Sequence, residues 1–112
     1  MSSKQRFIRD YYQQKRGTPK MLLIQCSHCN NYLMHYQKDG PGPLLRCYID
    51  RIYHPKSTST DTSLTCSSCH TIIGDPIIYE KEQRSAYNLV PDSFIIKKTT
   101  LRNAKAYSSQ SS

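Results

Sequence analysis

The chain has 112 residues and a net charge of +8, and 37% of its residues are apolar against roughly 45–50% in typical globular chains. This length provides for one domain, and no run approaches the roughly 18–20 apolar residues of a membrane span. The N-terminal segment also lacks the apolar centre, about 7–15 residues long, of a secretory signal. We therefore expect a soluble intracellular protein, cytoplasmic or nuclear, that contacts no membrane.

The positive charge is concentrated at the two ends. Residues 1–20 carry a net charge of +5 and residues 97–112 carry +4, whereas the middle sums to −1. We expect a basic N-terminal lead-in over 1–20, a β domain over 21–99, and a disordered, Ser-rich tail over 100–112. Flexible basic termini of this kind attract nucleic acid or acidic partners, or serve solubility alone.

The predicted elements begin with a short helix in RFIRDYYQQKR, which Gly17 and Pro19 would end. The apolar run over 21–25 predicts a strand that leads into Cys26. Beyond the first cysteine pair, segments rich in β-forming residues are separated by segments rich in turn residues. We predict strands over 31–38, 44–53, 71–74, 76–82 and 94–99, turns over 39–43 and 74–76, and an exposed loop over 54–63.

The strongest motif is a pair of CxxC sequences, Cys26 to Cys29 and Cys66 to Cys69. Two thiolates separated by two residues can cover one side of a tetrahedral Zn²⁺, so two such turns complete a closed four-sulfur shell. The segment between the pairs is longer than the roughly 15–20 residues usual in zinc ribbons. We therefore predict one structural zinc that pins two hairpins of an antiparallel sheet domain.

Other chemistries compete for these cysteines. Paired thiols also serve as redox dithiols or form disulfides, although reduced thiols in a cell favour metal. Iron is a less favoured occupant of the same four-sulfur shell. His28 and His70 adjoin the pairs and could replace a cysteine as ligand, but four sulfurs already fill the shell.

Cys47 is the fifth cysteine and lies outside the two CxxC pairs, in the predicted strand segment LLRCYI. We interpret it as a buried structural thiol on the third strand. The alternative is a nucleophilic or redox thiol, which would need a base and an electropositive setting.

The second half of the sequence resembles a known family. The segment CSSCHTIIG (66–74) resembles the second zinc knuckle of Yippee-like proteins, where a CxxC is followed by three residues, an aliphatic residue and glycine. Tyr87 and the run FII (94–96) resemble that family's tyrosine and closing strand. In the first half, the CxxC at 26–29 is followed by a strand and then by RCYI (46–49). The resemblance spans residues 22–98.

This resemblance implies a β-tent, in which two antiparallel sheets meet at an angle and one zinc pins the apex. Relatives of that architecture include the thalidomide-binding domain of cereblon and the selenium/zinc-type methionine sulfoxide reductases. Ligand binding of the cereblon type uses a cage of tryptophans, and this chain has none. The reductases need a reactive cysteine or selenocysteine late in the fold, and no cysteine follows Cys69. Both activities are therefore disfavoured.

Two functions remain open. The first is a non-enzymatic, zinc-stabilised binding or adaptor module for a partner protein, with tyrosines supplying contact area. The second is nucleic-acid binding, in which bases stack on Tyr11 and Tyr12 while nearby cations meet phosphates. The residues proposed for such contacts, or for an acidic partner, are Arg6, Arg9, Lys15, Arg16, Lys97 and Lys98.

An enzyme is not expected. The sequence has no paired carboxylates beside a histidine, no glycine-rich phosphate loop and no GxSxG motif. We therefore predict no catalytic residues and no small-molecule substrate, with thiol chemistry at Cys47 as the alternative.

Overall fold

The computed structural model describes residues 7–55 and 62–110. Within these ranges the chain forms eight strands, two helices and one 3-10 turn. Their bounds are α1 Tyr11–Arg16, β1 Pro19–Cys26, β2 Tyr32–Asp39, β3 Arg46–Tyr48, the 3-10 turn Ile49–Arg51, β4 Ile52–His54, β5 Leu64–Thr65, β6 Ile72–Tyr79, β7 Arg84–Leu89, β8 Phe94–Thr99 and α2 Leu101–Gln110.

The strands form two four-stranded sheets. The first sheet has the order β4-β2-β1-β8 and the second has the order β3-β7-β6-β5. Every pairing between neighbouring strands is antiparallel. The prediction of a small all-β fold built from antiparallel sheets is therefore confirmed.

One apolar core joins the two sheets. The first sheet contributes side chains from the β1–β2 hairpin, such as Ile24 and Tyr36, and the second contributes Ile73 and Leu89. The neighbours Met21 and Leu22 are both buried, at 2% and 4% exposure, so β1 is covered on both faces there. This explains why the run over 21–25 contains consecutive apolar residues rather than a clean alternation. The buried core residues include Leu22, Ile24, Cys26, Met34, Tyr36, Cys47, Ile52, Cys66, Ile73, Tyr87 and Leu89.

The single strand predicted over 44–53 is wrong. The chain forms β3 in the second sheet, makes a 3-10 turn over Ile49–Arg51, and continues as β4 in the first sheet. A stretch rich in β-formers favours extended backbone but does not say which sheet each half joins. The crossing places the side chain of Arg51 in the interior, at 2% exposure.

The turn predicted over 74–76 is also wrong, because β6 runs without a break from Ile72 to Tyr79. Pro76 pairs in register with Tyr87 on β7 and lies beyond the end of the two-residue β5. Proline lacks a backbone N–H, so sheets tolerate it where a strand has no neighbour on one side. In addition, residues 56–61 of the predicted loop lie outside the described residues.

The predicted N-terminal helix is present but shorter. It begins at Tyr11, and the carboxylate of Asp10 caps it by accepting a hydrogen bond from the backbone N–H of Gln13 at 3.0 Å. Gly17 ends it, as predicted, and donates its own N–H to the carbonyl of Gln13. The helix packs on the domain, since the hydroxyl of Tyr12 donates to the backbone carbonyl of Glu82 at 3.2 Å.

The prediction of a disordered tail over 100–112 is wrong for most of that segment. The structure forms α2 over Leu101–Gln110, and residues 111–112 lie outside the described part of the chain. Thr100 begins the helix by accepting the N–H of Asn103, Ala104 is fully buried, and Tyr107 stacks on Tyr32. These tertiary contacts stabilise a segment whose polar composition favours disorder. Neither described helix has the length and apolarity needed to cross a membrane.

Candidate metal centre

The four predicted cysteine ligands come together at the turns of two hairpins. Cys26 ends β1 and Cys29 lies in the turn to β2, whereas Cys66 and Cys69 lie between β5 and β6. Their sulfur atoms all lie within 4.8 Å of one another. One cysteine pair therefore comes from each sheet, and a single ion at their centre would join the two sheets directly.

The sulfur positions fit a tetrahedral ion. The Sγ atoms of Cys26 and Cys69 are 3.6 Å apart, and those of Cys29 and Cys66 are 3.5 Å apart. A Zn–S bond of about 2.3 Å in a regular tetrahedron puts the sulfurs about 3.8 Å apart. The group is a closed set of four soft donors, which suits Zn²⁺ or iron and leaves no coordination position for water or substrate.

The two cysteine turns have the same backbone hydrogen bonds. In the first turn, Cys26 donates its N–H to the carbonyl of Asn31 and accepts the N–H of Asn30, both at 2.9 Å. In the second turn, Cys66 makes the equivalent bonds with Thr71 and His70, also at 2.9 Å. Backbone hydrogen bonds around the first cysteine therefore hold each turn, independently of its side chains.

Neighbouring segments support the first turn. Ser27 donates its backbone N–H to the carbonyl of Ser93 at 3.0 Å and its hydroxyl to the carbonyl of Asp92 at 2.7 Å. The side-chain amide of Asn31 reaches across to the second turn, where it donates to the sulfur of Cys66 and to the hydroxyl of Ser67. The turn over 91–93 and Asn31 therefore fix how the two cysteine pairs face each other.

Hydrogen bonds to the sulfurs set different thiol acidities within the cluster. Backbone N–H groups of Cys69 and Ser68 lower the pKa of Cys66 to about 6, and the hydroxyl of Thr71 lowers the pKa of Cys69. The N–H of Asn31 favours the thiolate of Cys29, but desolvation and the neighbouring thiols outweigh it and raise that pKa to about 11. Metal binding requires all four cysteines as thiolates and displaces the remaining protons.

The two histidines beside the pairs do not join the cluster. His28 and His70 are exposed, and the group of metal-capable side chains found among the described residues contains cysteines only. This agrees with the expectation that four sulfurs fill the shell.

Cys47 lies on β3, opposite Tyr87 on β7, and is fully buried. Burial raises the pKa of its thiol well above the ordinary value, so the thiolate is disfavoured. Its position in the apolar core agrees with the interpretation as a structural thiol. Three residues near Cys47 in sequence could supply a base or a positive charge, namely Arg46, Arg51 and His54. Each of them hydrogen-bonds to another side chain.

The basic residues proposed for partner contacts occupy different elements. Arg16 is already engaged within the protein, because its guanidinium pairs with Glu82 and donates a hydrogen bond to the hydroxyl of Tyr48. Lys15 is exposed at the end of α1, where its Nζ lies 5.8 Å from the ring centroid of Tyr11. The remaining predicted residues either are exposed or lie outside the described part of the chain. Arg9, Lys97 and Lys98 are exposed, and Arg6 is outside the described residues.

A cluster of aromatic rings that sequence reasoning missed lies on the first sheet. The hydroxyl of Tyr32 lies 2.8 Å from Nδ1 of His35 and 3.1 Å from Nδ1 of His54, and the ring of Tyr107 stacks on Tyr32 at 4.2 Å between centroids. His35 is buried, and burial, assisted by the charge on His54, lowers its pKa. His54 and Tyr107 are far in sequence from Tyr32 and His35, and the only signal of the cluster was the alternation of β2.

Two buried arginines were also missed. Arg51 is 2% exposed and pairs with Asp10 and with Asp39, the latter at 2.8 Å. Arg84 is 6% exposed, and its guanidinium carbon lies 3.8 Å from the ring centroid of Tyr48 and 4.3 Å from that of Tyr12. Their charges link the two sheets to α1, but nothing local in sequence distinguishes them from surface arginines.

Comparison of the chain with protein-family models, with curated proteins and with solved structures returned no significant match.

Proposed function

We propose that this protein is a non-enzymatic binding module for a partner protein, stabilised by one structural Zn²⁺ on Cys26, Cys29, Cys66 and Cys69. The observation that carries the proposal is the convergence of four sulfurs, two from each sheet, at tetrahedral spacing. A bound zinc would supply cross-linking of the sheets and contribute folding free energy on the order of 10 kcal/mol. The closed four-sulfur shell and the buried Cys47 both argue against catalysis.

We further propose that the chain is an intracellular member of the Yippee-like group with a β-tent arrangement. Two residues that carry the resemblance, Gly74 and Tyr87, lie against each other. A Cβ atom at Gly74 would lie 3.1 Å from Cβ of Tyr87 and 3.2 Å from the carbonyl oxygen of Asn88. The close approach of β6 and β7 leaves little room for a side chain at position 74, so the glycine and the tyrosine of this pattern are compatible with the same strand pair.

Metal content measured by elemental analysis tests the zinc site. Protein purified without added metal should contain about one zinc per chain, and Cys66→Ser should lose it and unfold. Cys47→Ser is the matched control, since it makes the same chemical change outside the cluster. The Cys47→Ser variant should retain zinc. Its buried hydroxyl should lower the free energy of unfolding by about 1–2 kcal/mol. Metal-free wild-type protein with an intact fold, or equal zinc loss in both variants, would overturn the structural site.

A second candidate function is nucleic-acid binding through the basic segments. The observation that favours it is Tyr11, which is 68% exposed beside Lys15 and can stack on a base. Binding to single-stranded oligonucleotides should weaken steeply with salt and fall in Tyr11→Ala. A Tyr11→Phe variant, which keeps the ring, serves as the control, and an equal loss of binding in both variants would count against base stacking at this position.

A further inference from the structure

A cavity of about 170 Å³ lies where α1, the end of β2, β3 and β7 meet. Its wall carries five cations and one carboxylate, from segments that are distant in the sequence. The charged lining residues are Arg16, Lys38, Asp39, Arg46, Arg51 and Arg84. Such a concentration of positive charge around one concave space is unusual for a wall that serves packing alone.

The carboxylates of this region neutralise only part of the charge. Arg51 pairs with Asp10 and Asp39, Arg84 pairs with Asp50 and Glu82, and Arg16 shares Glu82. These four carboxylates stand against the five cations of the wall. Lys38 and Arg46, however, make no ion pair among residues 7–55 and 62–110. The ammonium of Lys38 donates instead to the carbonyls of Gly40 and Pro41, at 2.8 and 3.1 Å. The cavity therefore keeps an uncompensated positive charge.

The arginines also keep unused hydrogen-bonding capacity. Four of their nitrogens are buried and make no hydrogen bond among the described residues, namely Arg16 Nε, Arg46 Nε, Arg51 Nη1 and Arg84 Nε. Of these, Arg51 Nη1 lies 3.9 Å from a carboxylate oxygen of Asp50. Two of these side chains are more than nine-tenths buried, Arg51 and Arg84. These four atoms have almost no accessible surface of their own, so they face the cavity only if the guanidinium groups turn. Buried polar groups in folded proteins are otherwise nearly always paired. A small rotation of the guanidinium groups would direct these N–H groups to an anion in the cavity.

Part of the remaining wall is apolar and suits an organic group. It includes Leu44, Pro41 and Pro43, together with Leu45, which is 59% exposed at the mouth. The ring of Tyr48 also lines the cavity, and the guanidinium carbon of Arg84 is 3.8 Å from its centroid. A ligand here would place a charged group on the cations and a less polar group against the leucine and proline side chains.

We propose that this cavity binds a small phosphorylated compound, with its phosphate on Arg46, Lys38 and the buried arginines. Several guanidinium groups from separate segments suit the three oxygens and double charge of a phosphate, whereas one bidentate arginine suffices for a carboxylate. The inference rests on the proposed binding function and deepens it by naming the chemical class of a ligand. It does not depend on which metal occupies the cysteine cluster.

Calorimetric titration of the full-length, metal-loaded chain tests the inference, with phenyl phosphate, inorganic phosphate and acetate at matched ionic strength. Phenyl phosphate should bind more tightly than inorganic phosphate, and acetate should bind at least tenfold more weakly than either. Equal affinities for phenyl phosphate and inorganic phosphate would show that the site binds the free ion. That result would overturn the proposal that the ligand carries an organic group. Equal binding of acetate, or no heat from any phosphate, would overturn the inference altogether.

Matched variants locate the binding. Arg46→Gln and Lys38→Gln should each lower the affinity for phenyl phosphate at least tenfold. Arg102→Gln, at an exposed position on α2, should leave this affinity unchanged. An equal loss in Arg102→Gln would show that only net charge matters and would contradict the site. Zinc content and melting temperature of each variant are measured in parallel. Zinc-loaded, folded protein that fails to bind phosphate defeats this inference alone, whereas folded protein without zinc defeats the proposed metal centre instead.

Discussion

Asn30 and His70 occupy equivalent positions, each directly after the second cysteine of its pair, and both adopt left-handed backbone with φ of 62° and 64°. Each donates its N–H to the carbonyl of the first cysteine of the same pair. The left-handed residue reverses the chain so that the backbone returns toward the sulfurs. The two halves of the metal centre are thus built by one local conformation used twice.

The first prediction concerns this left-handed position. His70→Val should lower the free energy of unfolding by about 1–2 kcal/mol, because a β-branched residue is disfavoured there. His70→Gly should change it by less than about 0.5 kcal/mol, since glycine adopts positive φ freely but gains entropy when unfolded. Urea unfolding in excess zinc measures both. Loss of zinc in His70→Gly would contradict the all-cysteine shell.

The second prediction compares two glycines of the turn after β2. Gly40 has φ of 79°, and a Cβ atom there would lie 2.1 Å from the backbone carbonyl oxygen of Arg16. Gly42 has φ of 101°, but a Cβ atom added to it would have no described atom within 4 Å. Gly40→Ala should therefore cost about 2–4 kcal/mol and separate α1 from the turn, whereas Gly42→Ala should cost about 1 kcal/mol. Equal melting temperatures for the two variants would contradict the close packing of α1.

The third prediction concerns Cys47. In the native protein its thiol should resist alkylation by iodoacetamide, because it is fully buried and burial raises its pKa. Labelling should begin only when denaturant unfolds the chain, which peptide mapping by mass spectrometry can follow. Rapid labelling under native conditions, with zinc retained, would revive the alternative of a reactive thiol at this position.

The four-cysteine cluster could be predicted from the sequence because its pattern is local. The spacing within each CxxC determines which thiolates can share one ion, and the strand before Cys26 follows from a short apolar run. The longer separation between the pairs indicated two hairpins rather than one ribbon, and the structure places one pair in each sheet. Local patterns therefore sufficed for the ligands and for the fold class.

The remaining features depend on contacts between distant segments. The stretch over 44–53 favours extended backbone throughout, and only packing decides that it divides between two sheets at the 3-10 turn Ile49–Arg51. The charge of Arg51 becomes tolerable inside because Asp10 and Asp39 arrive from other elements. Neither counter-charge has a recognisable spacing from the arginine. The cationic cavity could not be predicted from the sequence either, because its lining residues also come from distant segments.

The fourth prediction concerns the docking of α2. The ring of Tyr107 stacks on Tyr32 with centroids 4.2 Å apart and planes inclined by 23°. Tyr107→Ala should lower the free energy of unfolding by about 1 kcal/mol and accelerate amide hydrogen exchange over 101–107. Arg102→Ala, at an exposed position of the same helix, should leave exchange nearly unchanged. Equal acceleration in both variants would mean that the stack does not hold the helix.

The fifth prediction follows from His35. Its folded-state pKa is lowered by burial and by the charge on His54, so the folded protein holds its neutral form while the unfolded chain takes up a proton below about pH 6.5. The unfolded state then binds more protons, and stability must fall as the pH drops from about 6.5 toward the lower folded value. The difference in melting temperature between pH 7.5 and pH 5.5 should therefore shrink in His35→Gln, which removes the titration but keeps a group able to hydrogen-bond to Tyr32. His28→Gln, at an exposed position, should keep the wild-type difference, and an equal reduction in both variants would assign the acid sensitivity to another part of the molecule.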